Sequence, residues 1–155
     1  MKRMTCVGVI LLGLAIATAP AIADSDARSV TGAAKGLFGG EAALGGVTLE
    51  GVELGTGVFI EADGSAAGTF HAVLQGSSLG VPQEITVEGK VSEGSVAADG
   101  RASFSGTASL DFGNGAPPLP GVAFSVIAGA DGLVLAIDST TLPAAALTAG
   151  AVTIE

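Results

Sequence analysis

From Arg101 to Phe112 the chain reads RASFSGTASLDF, and small or apolar side chains alternate with polar ones along the whole stretch. Ala102, Phe104, Gly106, Ala108, Leu110 and Phe112 share one parity, while Arg101, Ser103, Ser105, Thr107, Ser109 and Asp111 share the other. A period of two does not fit the 3.6-residue repeat of a helix; it marks a strand with one face on a core. The same period runs through VTLEGVEL (47–54), TGVFIEA (56–62), GTFHAVLQG (68–76), EITVEGKVS (84–92), VAFSVIA (122–128), LVLAID (133–138) and AVTIE (151–155). No comparable stretch repeats at helical spacing.

Asp63-Gly64, Asp99-Gly100 and Asp131-Gly132 fall between these segments. Asp-Gly at such a place predicts a type I′ hairpin, whose two central residues both need positive φ. Strand starts about 10 residues apart, joined by tight turns, predict an all-β fold: an antiparallel β-sandwich or small β-barrel of about eight or nine strands. The chain has six phenylalanines and neither tyrosine nor tryptophan. Phe59, Phe70, Phe104, Phe112 and Phe124 lie in expected strands, four of them on the apolar parity. They are expected to form a core with Leu74, Ile85, Val87, Leu110, Val126, Leu133 and Leu135.

The N-terminus, MKRMTCVGVILLGLAIATAPAIADSD, joins a basic head at Lys2 and Arg3 to an apolar run from Val7 to Ala19. Ala21-Ile22-Ala23 then matches the small-x-small pattern of signal cleavage, and residues 1–23 are expected to be a signal peptide. The run is shorter than the roughly 20 residues that cross a bilayer, so no integral span is expected after signal removal. Cys6 stands ahead of the apolar run, unlike a lipidated cysteine, and is discarded with the signal. Residues 24–46, DSDARSVTGAAKGLFGGEAALGG, are dense in glycine and alanine and lack alternation, so they read as a flexible lead to a single β domain at 47–155.

Signal removal leaves 132 residues without cysteine, holding Arg28, Lys35, Lys90 and Arg101 against fifteen acidic residues, a net charge of −11. Such a charge opposes binding to nucleic acid. An exported, cysteine-free chain of this size points to a bacterial protein, periplasmic or secreted.

The residue inventory is poor in chemistry. His71 is the only histidine; zinc takes several nitrogen or sulfur ligands, and a serine–histidine–acid triad has no nucleophile elbow here. His71 lies on the parity opposite Phe70 and Leu74 and reads as an outward strand residue. Asp111 and Asn114 offer hard oxygens for calcium, but six to eight oxygens are needed, and turn formation already accounts for Asp, Asn and Gly there. No cofactor is expected. Pro117-Pro118-Leu119-Pro120 stiffens a long connection. Ser103, Ser105, Thr107 and Ser109 form a hydroxyl row whose expected neighbours, 84–92 and 68–76, do not continue it, so the row reads as a solvated outer face. The expected function is an exported, non-catalytic β domain binding a small apolar ligand, with Gly106 and Ala108 leaving room in the core. The alternative is a structural or surface-interaction protein of the envelope or extracellular layer.

Overall fold

The computed structural model describes residues 26–155, so the expected signal segment and its Ala21 and Ala23 cleavage motif lie outside the described residues. The chain forms nine strands: β1 (Arg28–Leu44), β2 (Val47–Ile60), β3 (Ser65–Ser78), β4 (Val81–Val96), β5 (Ala102–Asp111), β6 (Leu119–Ala128), β7 (Gly132–Ile137), β8 (Thr140–Thr141) and β9 (Ala145–Ile154). All belong to one antiparallel sheet in the order β6-β5-β4-β3-β2-β1-β9-β7-β8, and a further β6–β7 pairing closes it into a ring. Of the two all-β architectures expected, the ring is therefore the barrel. The β8 strand is a two-residue appendage on β7.

The flexible lead is corrected: residues 28–44 form β1, paired with β2 along one edge and β9 along the other. Its alternation is hidden because the inward set, Val30, Gly32, Ala34 and Gly36, contains only one large side chain, and composition then mimics a linker. Segments 47–54 and 56–62 are one strand, since Val52, Leu54, Thr56, Val58 and Ile60 keep a single inward parity through Gly55. Likewise β9 extends the AVTIE segment back to Ala145, through an alanine-rich stretch that shows no alternation.

The turns also differ from expectation. At Asp63-Gly64 and Asp99-Gly100 only the glycine has positive φ. Gly64 N–H donates to the Glu61 carbonyl and Gly100 N–H to that of Ala97, each at 3.0 Å. These are three-residue hairpin loops, a type I turn followed by a left-handed glycine. Asp63 and Asp99 serve by accepting from the backbone N–H two residues on, at 2.9 and 3.1 Å. Asp131-Gly132 is different again, because Gly132 opens β7 and its missing Cβ lets the Ala145 carbonyl of β9 approach. Type I′ geometry occurs elsewhere, at Gly45-Gly46 and at Leu79-Gly80, where both central residues have positive φ.

The inward faces fill the barrel with apolar side chains. All seven aliphatic residues expected in the core are buried, as are Phe70, Phe104 and Phe124. Phe70 is the hub: its ring stacks on Phe124 at a centroid distance of 5.6 Å and meets Phe104 edge-on at 5.9 Å. Phe112 is partly buried against this core, whereas Phe59 is on the outer face and 47% exposed. Gly106 and Ala108 leave no vacant room. The Lys90 carbonyl occupies the place where a Gly106 Cβ would stand, and Ala108 is packed into the core. A neighbouring glycine, Gly89, makes way for the Phe124 ring. No buried side chain among the described residues is charged.

Candidate functional site

The inward faces are apolar, so the hydrogen-bonding side chains stand on the outer wall. Ser103, Ser105, Thr107 and Ser109 do point outward from β5, because Ala102, Phe104, Ala108 and Leu110 take the inward parity. Their neighbours, however, are β4 and β6, not residues 68–76. The register sets Ser103 opposite Ser95 and Ser105 opposite Ser125, so the row continues onto both flanking strands. The expectation that it stands alone is thus corrected. Ser125 shows the required parity in VAFSVIA; what the sequence lacks is the information that this segment lies beside β5.

At one end the hydroxyl wall runs into an open depression of about 560 Å³ bordered by Asp63, Ser65, Ser92, Glu93, Ser95, Ser103 and Ser105. Ser92 is the extra residue where the β4–β5 register shifts between Val91 and Glu93. A bulge of this kind turns side chains out of the regular alternation. Hydrogen bonds from the hydroxyl and backbone N–H of Ser65 hold the Asp63 carboxyl below its ordinary range. Asp63 is therefore an ionised acceptor at neutral pH.

His71 is exposed on β3, with Glu88 opposite it on β4 and Thr69 opposite Lys90. These side chains border a second open depression, of about 610 Å³, which Pro120 and Gly121 also line. The oxygens considered for calcium are used within their loop: Asp111 Oδ1 accepts from Gly113 N–H at 2.8 Å and Asn114 Oδ1 from Ala116 N–H at 3.0 Å. Among the described residues no three His, Cys, Asp or Glu side chains converge to hold a metal.

Two further features carry no sequence signal. On β2, Glu53 accepts from Lys35 across the β1–β2 pair and from Gln75 on β3. The Lys35 hydrogen bond, helped by its charge and by Gln75, holds the Glu53 carboxyl below its usual range against the opposing effect of desolvation. At the seam where β6, β7 and β9 meet lies a groove of about 720 Å³ lined by Ile127, Val134, Ala144 and Ala146, with Asp99, Arg101 and Asp131 at its rim. Comparison with protein-family models, with curated proteins and with solved structures finds no match.

Proposed function

We propose that the chain is an exported, non-catalytic β-barrel module of the cell envelope or extracellular layer, and that it engages its partner through the outer wall of β4, β5 and β6. The observation that carries this reading is the filled interior: buried aliphatic and phenylalanine side chains take the space that a ligand-carrying barrel leaves open. Against that plain core, the hydroxyl patch of Ser95, Ser103, Ser105 and Ser125 with its adjoining acidic depression gathers hydrogen-bonding groups from three strands on the wall. Outward Glu50, Glu53, Glu88 and Lys90 give the barrel a charged exterior over an apolar interior. That is the reverse of the apolar outer band of a transmembrane barrel. The described residues include no helix long and apolar enough to cross a membrane.

Retention of the purified protein on an isolated cell-envelope preparation tests the reading. Replacing Ser103 and Ser105 with lysine changes the wall without touching the core, and retention is expected to fall at least tenfold. Equal retention of the double variant and the parent would remove the hydroxyl wall from consideration. A small apolar ligand is the second reading, and the seam groove beside Ile127 and Val134 is where it would sit.

A further inference from the structure

The depression beside His71 gathers side chains that the barrel itself leaves unused. The β3–β4 register sets His71 opposite Glu88 and Thr69 opposite Lys90, and the β4–β5 register sets Ser109 opposite Glu88 and Thr107 opposite Lys90. Two cross-strand rows result, His71–Glu88–Ser109 and Thr69–Lys90–Thr107, with a carboxylate at the centre of one and an ammonium at the centre of the other. Ser109 is half-buried and the other five are exposed. Strand β6 gives the depression its far side: the β5–β6 register shifts between Ala108 and Leu110, Gly121 takes a φ of 70°, and Pro120 and Gly121 line the same space.

Elsewhere on the wall Lys35 is matched by Glu53 and Asp63 by Ser65. Among the described residues, none of the six side chains in these two rows hydrogen-bonds to or forms an ion pair with another protein group. Lys90 is the most telling of them. It is one of six basic residues in a chain with fifteen acidic ones, yet on both neighbouring strands the register gives it threonine and not a carboxylate. An ammonium flanked by two hydroxyls is a set of donors. Glu88, with the Ser109 hydroxyl and an imidazole nitrogen of His71 beside it, supplies acceptors.

The spacing of the two sets fits one kind of molecule. Glu88 and Lys90 are two residues apart on one strand, so their side chains leave the same face about 6.5–7 Å apart. The nitrogen and the carboxyl carbon of an α-amino acid are about 2.5 Å apart, and with a charge-assisted hydrogen bond of about 2.8 Å at each end such a molecule bridges groups about 7–8 Å apart. We propose that this depression binds the zwitterionic head of a free α-amino acid, its carboxylate on Lys90, Thr69 and Thr107 and its ammonium on Glu88, Ser109 and His71. A ligand with a single charge would leave either Glu88 or Lys90 unanswered. The strongly negative chain also repels a purely anionic ligand, which a net-neutral zwitterion escapes.

The test uses His71 as its reporter, because it is the only histidine and its ring resonances in NMR spectra report on this depression. Alanine, titrated at constant pH and ionic strength into protein expressed from the full sequence, is expected to shift them saturably. Half-saturation should fall at about 1–10 mM, the range that a few exposed charged contacts reach. Ethylamine and propionate each carry one of the two charges and should bind about fivefold more weakly or worse. Glu88→Gln and Lys90→Gln should each weaken alanine binding about fivefold or more with a nearly unchanged melting temperature, whereas Lys90→Arg keeps the charge and should bind nearly as well as the parent. An absent or unsaturating shift with alanine overturns the proposal, as does equal affinity for ethylamine or propionate, or alanine binding that either glutamine variant leaves intact. Ser103 and Ser105 stand at the other end of β5, so envelope retention and amino-acid binding fail separately.

Discussion

Gly89→Ala is the sharpest probe of how the barrel is filled. Gly89 sits on the inner face of β4 between Phe70 of β3 and Ala108 of β5, and its φ is not positive, so alanine meets no backbone strain there. An added Cβ would lie 2.6 Å from Cζ and 2.7 Å from Cε1 of Phe124. Carbon atoms rest at about 3.5–4.0 Å, so the ring must retreat by about 1 Å. Phe124 has little freedom to do so, because it is stacked on Phe70, which is itself held edge-on by Phe104. Overpacking of this size costs about 1–3 kcal/mol, partly offset by the reduced freedom of alanine in the unfolded chain. The expected net effect is a loss of about 1–2 kcal/mol, or a fall in melting temperature of about 3–8 °C. Urea unfolding of the parent, Gly89→Ala, Phe124→Leu and the double variant separates collision from other causes. With the ring gone the new methyl fits, so the double variant should show a coupling of about 1 kcal/mol or more. Additivity within about 0.5 kcal/mol would refute the argument that Gly89 exists to admit Phe124.

Two other substitutions should stabilise the fold. Leu79 is fully exposed at the β3–β4 turn with a φ of 51°, in the left-handed region that leucine disfavours, so Leu79→Asn is expected to add about 0.5–1 kcal/mol in thermal or urea unfolding; an unchanged or lower stability would show that the tip is not strained. Thr56 faces inward with its Oγ1 buried and unpartnered, and Thr56→Val keeps the shape while removing that cost, so a gain of about 1 kcal/mol, seen as a few degrees in melting temperature, is expected; a loss would mean that the hydroxyl has a partner in solution.

The fold class was legible because alternation in β3 to β7 is strong enough to assign faces residue by residue, and the aliphatic core follows from parity alone. Closure was not. Whether an antiparallel sheet of this length forms a sandwich or a ring depends on whether its first and last strands meet, and β1 and β9 are the two strands with the weakest alternation. Both are built from glycine and alanine, small residues that let backbones draw close: the Ala151 carbonyl occupies the place of a Cβ at Gly32, and the Ala33 carbonyl that at Gly150. A composition that resembles a linker is here what allows the ring to close. The Asp-Gly pairs mark all three hairpin positions, β2–β3, β4–β5 and β6–β7, but not their geometry: two are three-residue loops that need positive φ only at the glycine, and in the third Gly132 already belongs to β7.

The candidate surface was half legible for a related reason. Parity assigns Ser103, Ser105, Thr107 and Ser109 to the outside, yet whether four hydroxyls form a line or an area depends on which strands flank them and in what register. Once β6 replaces β3 as a neighbour, Ser125 falls opposite Ser105, and the β4 bulge at Ser92 brings Ser95 opposite Ser103. The same topology separates two chemistries around the ring. Strands β2 to β5 carry outward acids and the hydroxyls, whereas β9 carries no charged side chain. In this chain the polar wall of β4, β5 and β6 offers groups that a hydrophilic partner can bond, and the extent of that wall is set by strand register, not by composition.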